Sequence, residues 1–201
     1  MARRTAAREL SPESAEHPRL VLASASPQRR AILERLGVPF TVRPARVREL
    51  KRGEPERVAA TNALRKARAA SRAPAEEVVI ACDTIVCLGG VIHGKPSDEH
   101  AARAVLQALS GATHEVLSGL VLLTPGQERS AIARTAVTFR ELDDGLLDWY
   151  LARGEWRGRA GGYAIQGAGA ALVRAVDGDC ENVVGLPLAT LLDIYPELLR
   201  R

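Results

Sequence analysis

The chain reads as an α/β protein. Three observations carry that reading: short aliphatic runs alternate with helix-like segments, a strand-to-helix joint stands near the start, and a long β-branched run follows at 78–88. The first strand is Leu20-Val21-Leu22-Ala23, about 19–23, of the kind a sheet buries on both faces. Ser24-Ala25-Ser26-Pro27-Gln28-Arg29-Arg30 then turns the chain into a helix, Pro27 costing nothing at a helix start because it has no N–H to leave unpaired. That helix runs to Leu36, with Gly37 as its stop.

Val38 to Arg43 predicts a second strand, and about Pro55 to Ser71 a helix carrying Val58, Thr61, Asn62, Leu64, Arg65 and Lys66. Val78 to Leu88 is dense in β-branched residues, and Gly89-Gly90 makes a hairpin returning through Val91-Ile92. Ser97-Asp98-Glu99 caps a helix to Leu109, ended by Ser110-Gly111. Thr113 to Leu123 and Arg129 to Glu141 form an antiparallel pair around Pro125-Gly126. Asp143 to Ala152 reads as helix, and Gly154 to Gly169 as a glycine-dense loop. A strand at about 171–176, a turn at Asp177-Gly178-Asp179 and a helix after Pro187 complete the chain. With no repeat and no evident linker, residues 19–201 are expected to form one unit, with two lobes around a cleft. Residues 1–18 read as a disordered leader.

Composition narrows the function. Hydrophobic residues make up 46% and aromatics only 3%, so the expected core is aliphatic and alanine-rich. No apolar run approaches the roughly 20 residues that cross a bilayer, and residues 1–18 lack a signal peptide's apolar stretch, so a cytoplasmic protein is expected. Cys82, Cys87 and Cys180 are odd in number and form no C-x-x-C pair, which argues against a disulfide framework or a cysteine zinc site. Cys82 and Cys87 are expected to be small buried hydrophobes on opposite strand faces. The net charge of +4 is spread along the chain without stacking aromatics, which suits small anions better than nucleic acid. Only three of the 28 basic residues are Lys, at 51, 66 and 95.

Several segments could carry chemistry. At the Ser24–Arg30 joint, free N–H groups, two hydroxyls and two guanidiniums gather at a helix N-terminus, an anion site suited to phosphate. The same residues would also make an ordinary capped helix with surface arginines. Asp83 lies deep in strand sequence, where an ionised carboxylate needs a partner or a metal. It is favoured as functional because ligands gather at strand ends in such folds, although a strand-end carboxylate satisfied by backbone N–H groups would look the same. Lys95, in Gly94-Lys95-Pro96, falls close to that strand but belongs to no P-loop. Lys66 would equally suit the wet face of a helix, and Glu49 is a lone acid in a basic loop. Between Arg157 and Gly169, glycines would let backbone approach a ligand and Gln166 could read a base edge, while Tyr163 and Ile165 suggest that the loop is docked. His93, His100 and His114 lack a ligand-like spacing, and Ser24 is in no G-x-S-x-G elbow.

Taken in order, these segments resemble the Maf family of nucleoside triphosphate pyrophosphatases, from about Leu20 to Leu192. The resemblance rests on Leu22-Ala23-Ser24-Ala25-Ser26-Pro27-Gln28-Arg29, Glu49, Lys66, Cys82-Asp83-Thr84, Lys95-Pro96, Leu109-Ser110-Gly111, Ala160 to Gly167, and Val184-Gly185-Leu186-Pro187. It implies an elongated mixed sheet flanked by helices around a central cleft, often dimeric. It also implies hydrolysis between the α- and β-phosphates of a nucleoside triphosphate, with Mg²⁺ or Mn²⁺ as cofactor. Carried over residue by residue, Asp83 is the proton acceptor, Glu49, Lys66 and Lys95 are catalytic with it, and Glu49 and Asp83 are the metal ligands. Ser24, Ser26, Gln28, Arg29, Thr84 and Gln166 bind substrate. The Ile165-Gln166-Gly167 loop resembles the branch acting on dTTP, UTP and modified pyrimidine nucleotides. Gln28 departs from the usual Arg, at a position tied to substrate choice, which keeps a 7-methyl-GTP-type or other modified-purine substrate as the alternative. Arg48 and Arg159 also depart from the pattern. A regulator of septum formation that senses nucleotides without turnover is the competing class, and it predicts binding without pyrophosphate release.

Overall fold

The computed structural model describes residues 18–200; the leader expected at 1–18 lies outside them apart from Pro18. The strands are β1 (Arg19–Leu22), β2 (Thr41–Val42), β3 (Glu77–Leu88), β4 (Val91–His93), β5 (Thr113–Thr124), β6 (Gln127–Phe139) and β7 (Val173–Asp177). The helices are α1 (Pro27–Arg35), α2 (Pro55–Ala70), α3 (Glu99–Leu109), α4 (Asp144–Leu151), α5 (Cys180–Val184) and α6 (Leu188–Ile194). Side chains cap most of them where the sequence places a suitable oxygen: Ser26 for α1, Glu54 for α2, Asp98 for α3, Asp143 for α4 and Asp179 for α5.

The seven strands form one mixed sheet in the order β2-β1-β3-β5-β6-β7, with β4 paired to β3. The second strand is shorter than its sequence suggests. Only Thr41 and Val42 pair, between Pro39 and Pro44, which cannot donate to a ladder. The Asp177-Gly178-Asp179 turn leads into α5, a five-residue helix too short to announce itself by periodicity.

What positions the site is the edge of β3. Parallel β1 accompanies it only as far as Leu22 opposite Ile80, and antiparallel β4 takes over at His93 opposite Val86. Between those two pairings, residues 81–85 keep β5 on one side and have no strand on the other. Asp83 and Thr84 therefore lie in the middle of a strand, not at its end, yet beside the end of its parallel neighbour.

The pleat sends alternate residues of β3 to opposite faces. Val79 and Ala81 pack with Val21, Ala63, Ala67 and Ala70 beneath α2. Val78, Ile80 and Cys82 pack with Leu20, Leu22, Ile32, Leu33 and Leu191 beneath α1 and α6. Further along this second face, Val86 joins another core with Leu106 and Leu109 of α3 and Leu147 and Tyr150 of α4. Two cores thus flank Thr84 on one face, and a single helix runs over Asp83 on the other.

The first core is aliphatic, as composition predicts, apart from Tyr195 and the adjoining Phe40. The second is not. Phe139, Tyr150, Trp156 and Tyr163 are all buried in it, so the few aromatics are concentrated in one lobe. Cys82 and Cys87 are both buried and sit in different clusters, on opposite faces as their odd spacing requires. Among the described residues, no helix is long and apolar enough to cross a membrane.

Candidate active site

α2 approaches the sheet closely because of what both surfaces lack. Its inward positions include Ala59, Ala63, Ala67 and Ala70, all buried. Opposite Asp83 on β5 stands Gly119, where a β-carbon would land on the backbone of Ala59 and Ala60. This close approach brings Asn62 and Lys66 of α2 onto Asp83.

Asp83 is buried, and its two oxygens have different partners. Lys66 Nζ donates to Oδ1 at 2.5 Å, and Asn62 Nδ2 donates to Oδ2 at 2.9 Å. The same ammonium reaches Oε1 of Glu49 at 2.7 Å. Glu49 and Asp83 are therefore drawn together across one cation. The Lys66 side chain is only 11% exposed, so it is no wet-face lysine. Burial pushes the Glu49 carboxyl up. The hydrogen bond and charge of Lys66, with the charges of Lys95 and Arg29, more than offset that, and the group sits below its ordinary range. These residues line a cavity of about 420 Å³ at the open edge of β3, with Lys95 and His93 on its β4 side.

Thr84 points to the other face. Its hydroxyl lies 2.8 Å from Ser118 Oγ and 3.2 Å from the Gly185 carbonyl, and it accepts from Arg29 Nη2 at 3.0 Å. Arg29 is buried, donating also from Nε to the Gly185 carbonyl at 2.6 Å and from Nη1 to Ser24 Oγ at 3.1 Å. Ser24 thus supports Arg29 and accepts from the Ser26 N–H, while Ser26 caps α1 and donates to Gln28 Oε1 at 2.9 Å. A second cavity on this face is lined by Ser26, Gln28, Arg29, Thr84, Lys95 and Gln166, among others. A third, at the N-terminus of α1, joins Ser24, Ser26, Gln28 and Arg29 to Glu49, Lys66 and Lys95. Arg29 and Lys95 line all three.

The glycine-dense loop is docked, as Tyr163 and Ile165 suggest. Tyr163 is buried and shares a 2.9 Å hydrogen bond with Nε2 of buried His114, and both rings stand edge-on to Phe139. Burial pushes His114 down to about 4. Gly161 (φ 69°) serves the chain's own packing: a side chain there would strike Val86 of β3. The loop's glycines at 161 and 162 face Val86 and Pro96, and Gln166 remains to face the cavity.

The sequence-predicted residues accordingly divide between two faces. Glu49, Lys66 and Asp83 gather on one, Ser26, Gln28, Thr84 and Gln166 on the other. Asn62, Ser118 and Gly119 are the neighbours of Asp83 and Thr84 that sequence reasoning missed. The only available signals were a buried-strand glycine opposite the acid and an amide on an otherwise alanine-rich helix face.

Among the described residues, no group of three or more His, Cys, Asp and Glu side chains could hold a metal. Two converging hard oxygen donors and open volume beside them do suit an ion such as Mg²⁺, which keeps several waters and takes only one or two carboxylates. Fold and site together define an α/β protein whose cleft sets two carboxylates among cations and a helix N-terminus.

The sequence matches the family described as Maf-like protein over residues 19–198. It is 50% identical over 177 residues to the dTTP/UTP pyrophosphatase of Anaeromyxobacter dehalogenans (strain 2CP-C), covering 86% of this chain and 90% of that protein. The dTTP/UTP pyrophosphatase of Deinococcus radiodurans is 44% identical over 176 residues, covering 87% and 90%. That of Pyrococcus furiosus is 43% identical over 179 residues, covering 88% and 93%. The chain belongs to the Maf family.

Proposed function

We propose that this protein is a nucleoside triphosphate pyrophosphatase that cleaves the α–β phosphoanhydride of dTTP and UTP, releasing the monophosphate and pyrophosphate. The observation that carries the reading is Lys66 holding Glu49 and Asp83 in one cavity, with a neighbouring cavity at the N-terminus of α1 that shares Arg29, Glu49, Lys66 and Lys95 with it. Curated relatives of this chain, named for that activity, support it over nine-tenths of their own length. A cytoplasmic location, where nucleoside triphosphates are made and used, goes with the reading.

In this reading the polyphosphate lies along the open edge of β3. Arg29, Lys66, Lys95 and the positive end of α1 spread its charge and that of the transition state. Glu49 and Asp83 would hold the Mg²⁺ or Mn²⁺, which when bound polarises phosphate oxygens and neutralises their charge. Asp83 takes the proton of the attacking water at a carboxylate oxygen. Across the strand, Gln28, Thr84 and Gln166 orient the base.

The test is pyrophosphate release measured over dTTP, UTP, 5-methyl-UTP, CTP, 7-methyl-GTP and ITP, with Mg²⁺ and after chelation. The expected result is metal-dependent release, fastest with dTTP and UTP. Asp83→Asn should lower it by about 10³-fold while the protein stays folded. Binding of nucleotides with no release from the unaltered protein would instead favour the sensing regulator.

A further inference from the structure

Asn62 stands outside the roles assigned so far, yet its amide is used almost to capacity. Nδ2 donates to Asp83 Oδ2 at 2.9 Å and to the Leu50 carbonyl at 3.0 Å, while Oδ1 accepts the Leu50 N–H at 2.7 Å. The residue is 2% exposed. Its neighbours on α2 complete a pattern: Arg65 Nη1 donates to the Arg48 carbonyl at 2.8 Å, and Lys66 Nζ takes the Glu49 carboxylate. One helix therefore grips three successive residues, 48 by a carbonyl, 49 by its side chain, and 50 by both backbone groups.

The grip matters because Glu49 lies in a segment without helix or strand of its own. Nothing in local backbone hydrogen bonding fixes residues 48–50, so their place is set by α2. The Arg65 contact is exposed and can exchange with water. The Asn62 contacts are buried or half-buried, where a lost partner leaves polar groups unsatisfied. Lys66 joins Glu49 and Asp83 through their carboxylates, whereas Asn62 ties Asp83 to the backbone that carries Glu49. A leucine or alanine would fill the helix position and satisfy neither.

We propose that Asn62 is a positioning residue that sets the Glu49 carboxylate in register with Asp83, so that the two act as a pair. This rests on the reading that the pair works on a polyphosphate, and it deepens that reading by naming what aligns the acids.

The test compares Asn62→Leu, Glu49→Gln and the double variant by steady-state kinetics, and follows hydrogen exchange at the Leu50 amide. Exchange needs neither metal nor substrate, so it reads the clamp separately from the hydrolase assignment. In Asn62→Leu the Leu50 amide should exchange at least about tenfold faster, and kcat should fall about 10- to 100-fold with KM changed little, as for loss of an outer-shell partner. The double variant should lose less than the product of the two single losses, because the part of Asn62's effect that runs through Glu49 is already gone. Unchanged exchange, an unchanged kcat, or losses that multiply in the double variant would each overturn the proposal. If Asn62→Leu fails to fold, Asn62→Gln, whose amide is displaced by one methylene from the Asn62 position, carries the same measurements. Failure of the unaltered protein to release pyrophosphate would sink the hydrolase reading alone, leaving the exchange result to decide the clamp.

Discussion

Asp83 and Thr84 are adjacent in the chain, yet they belong to differently built surroundings. On the Asp83 face, one ammonium is shared between two carboxylates, and Glu49 is still half exposed to a wide cavity. On the Thr84 face, hydroxyl, guanidinium and carbonyl groups are closed into a network through Ser118, Arg29, Ser24 and Gly185. The first arrangement has partners that can be exchanged, which is what chemistry on an incoming anion requires. The second is already satisfied and holds its shape, which is what recognition requires. The pleat keeps the two apart without any need for separate domains.

The most severe way to break this contrast is Asp83→Asn, for which about a 10³-fold loss of pyrophosphate release should leave nucleotide binding largely intact. Equilibrium binding to the variant checks this, and normal turnover would remove Asp83 from the chemistry. Gly119→Ala should come next, because its methyl group meets the backbone of α2 and not a movable side chain. We expect about 1–3 kcal/mol of lost stability, a fall in Tm of about 2–4 °C for each of those, and a lower kcat as Lys66 and Asn62 are lifted from Asp83. Thermal melts and kinetics on the same preparation test it.

Thr84→Val sharpens the contrast from the other side. It keeps shape but takes an acceptor from Arg29, at a cost of about 1–3 kcal/mol. The expected signature is KM raised about tenfold with kcat nearly unchanged; a collapse of kcat alone would show that the two faces are not separate.

The smallest effect concerns the scaffold that both faces share. Buried Glu77, at the start of β3, is gripped by both arms of Arg43 at 2.8 Å. That hydrogen bond, opposed by burial and aided by the N–H groups of Arg72 and Ala73 and by Arg43's charge, pulls its pKa to about 2. A depressed carboxyl contributes stability above its unfolded value, and loses it as pH falls through the folded one. The urea midpoint should therefore drop from about pH 5 down to about pH 2, and Arg43→Met should flatten that drop.

Much of this was legible in the chain. The strands at 19–22, 77–88, 113–124 and 127–139 announce themselves by β-branched runs and turn residues, and the helices by their caps. Asp83, Lys66 and Lys95 stood out because a strand acid and scarce lysines are conspicuous. What stayed hidden depends on tertiary approach. Gly119 looks like any strand glycine until α2 is laid on it, and Asn62 like any helix residue until Leu50 arrives from 12 positions away. The aromatic second core was missed for a related reason: composition counts Phe139, Tyr150, Trp156 and Tyr163 but does not say that they meet.

The two-residue repeat of β3 also makes this cleft intolerant of small changes in chain length. Insert one amino acid between Val78 and Ala81 and, if the rest of the strand slides along to stay paired, the acid would swing under α1 while the hydroxyl turned toward Lys66. Every part would survive and the machine would be inside out. Loops here can drift in length over generations, but those few positions cannot gain or lose a member without exchanging the tasks of their neighbours.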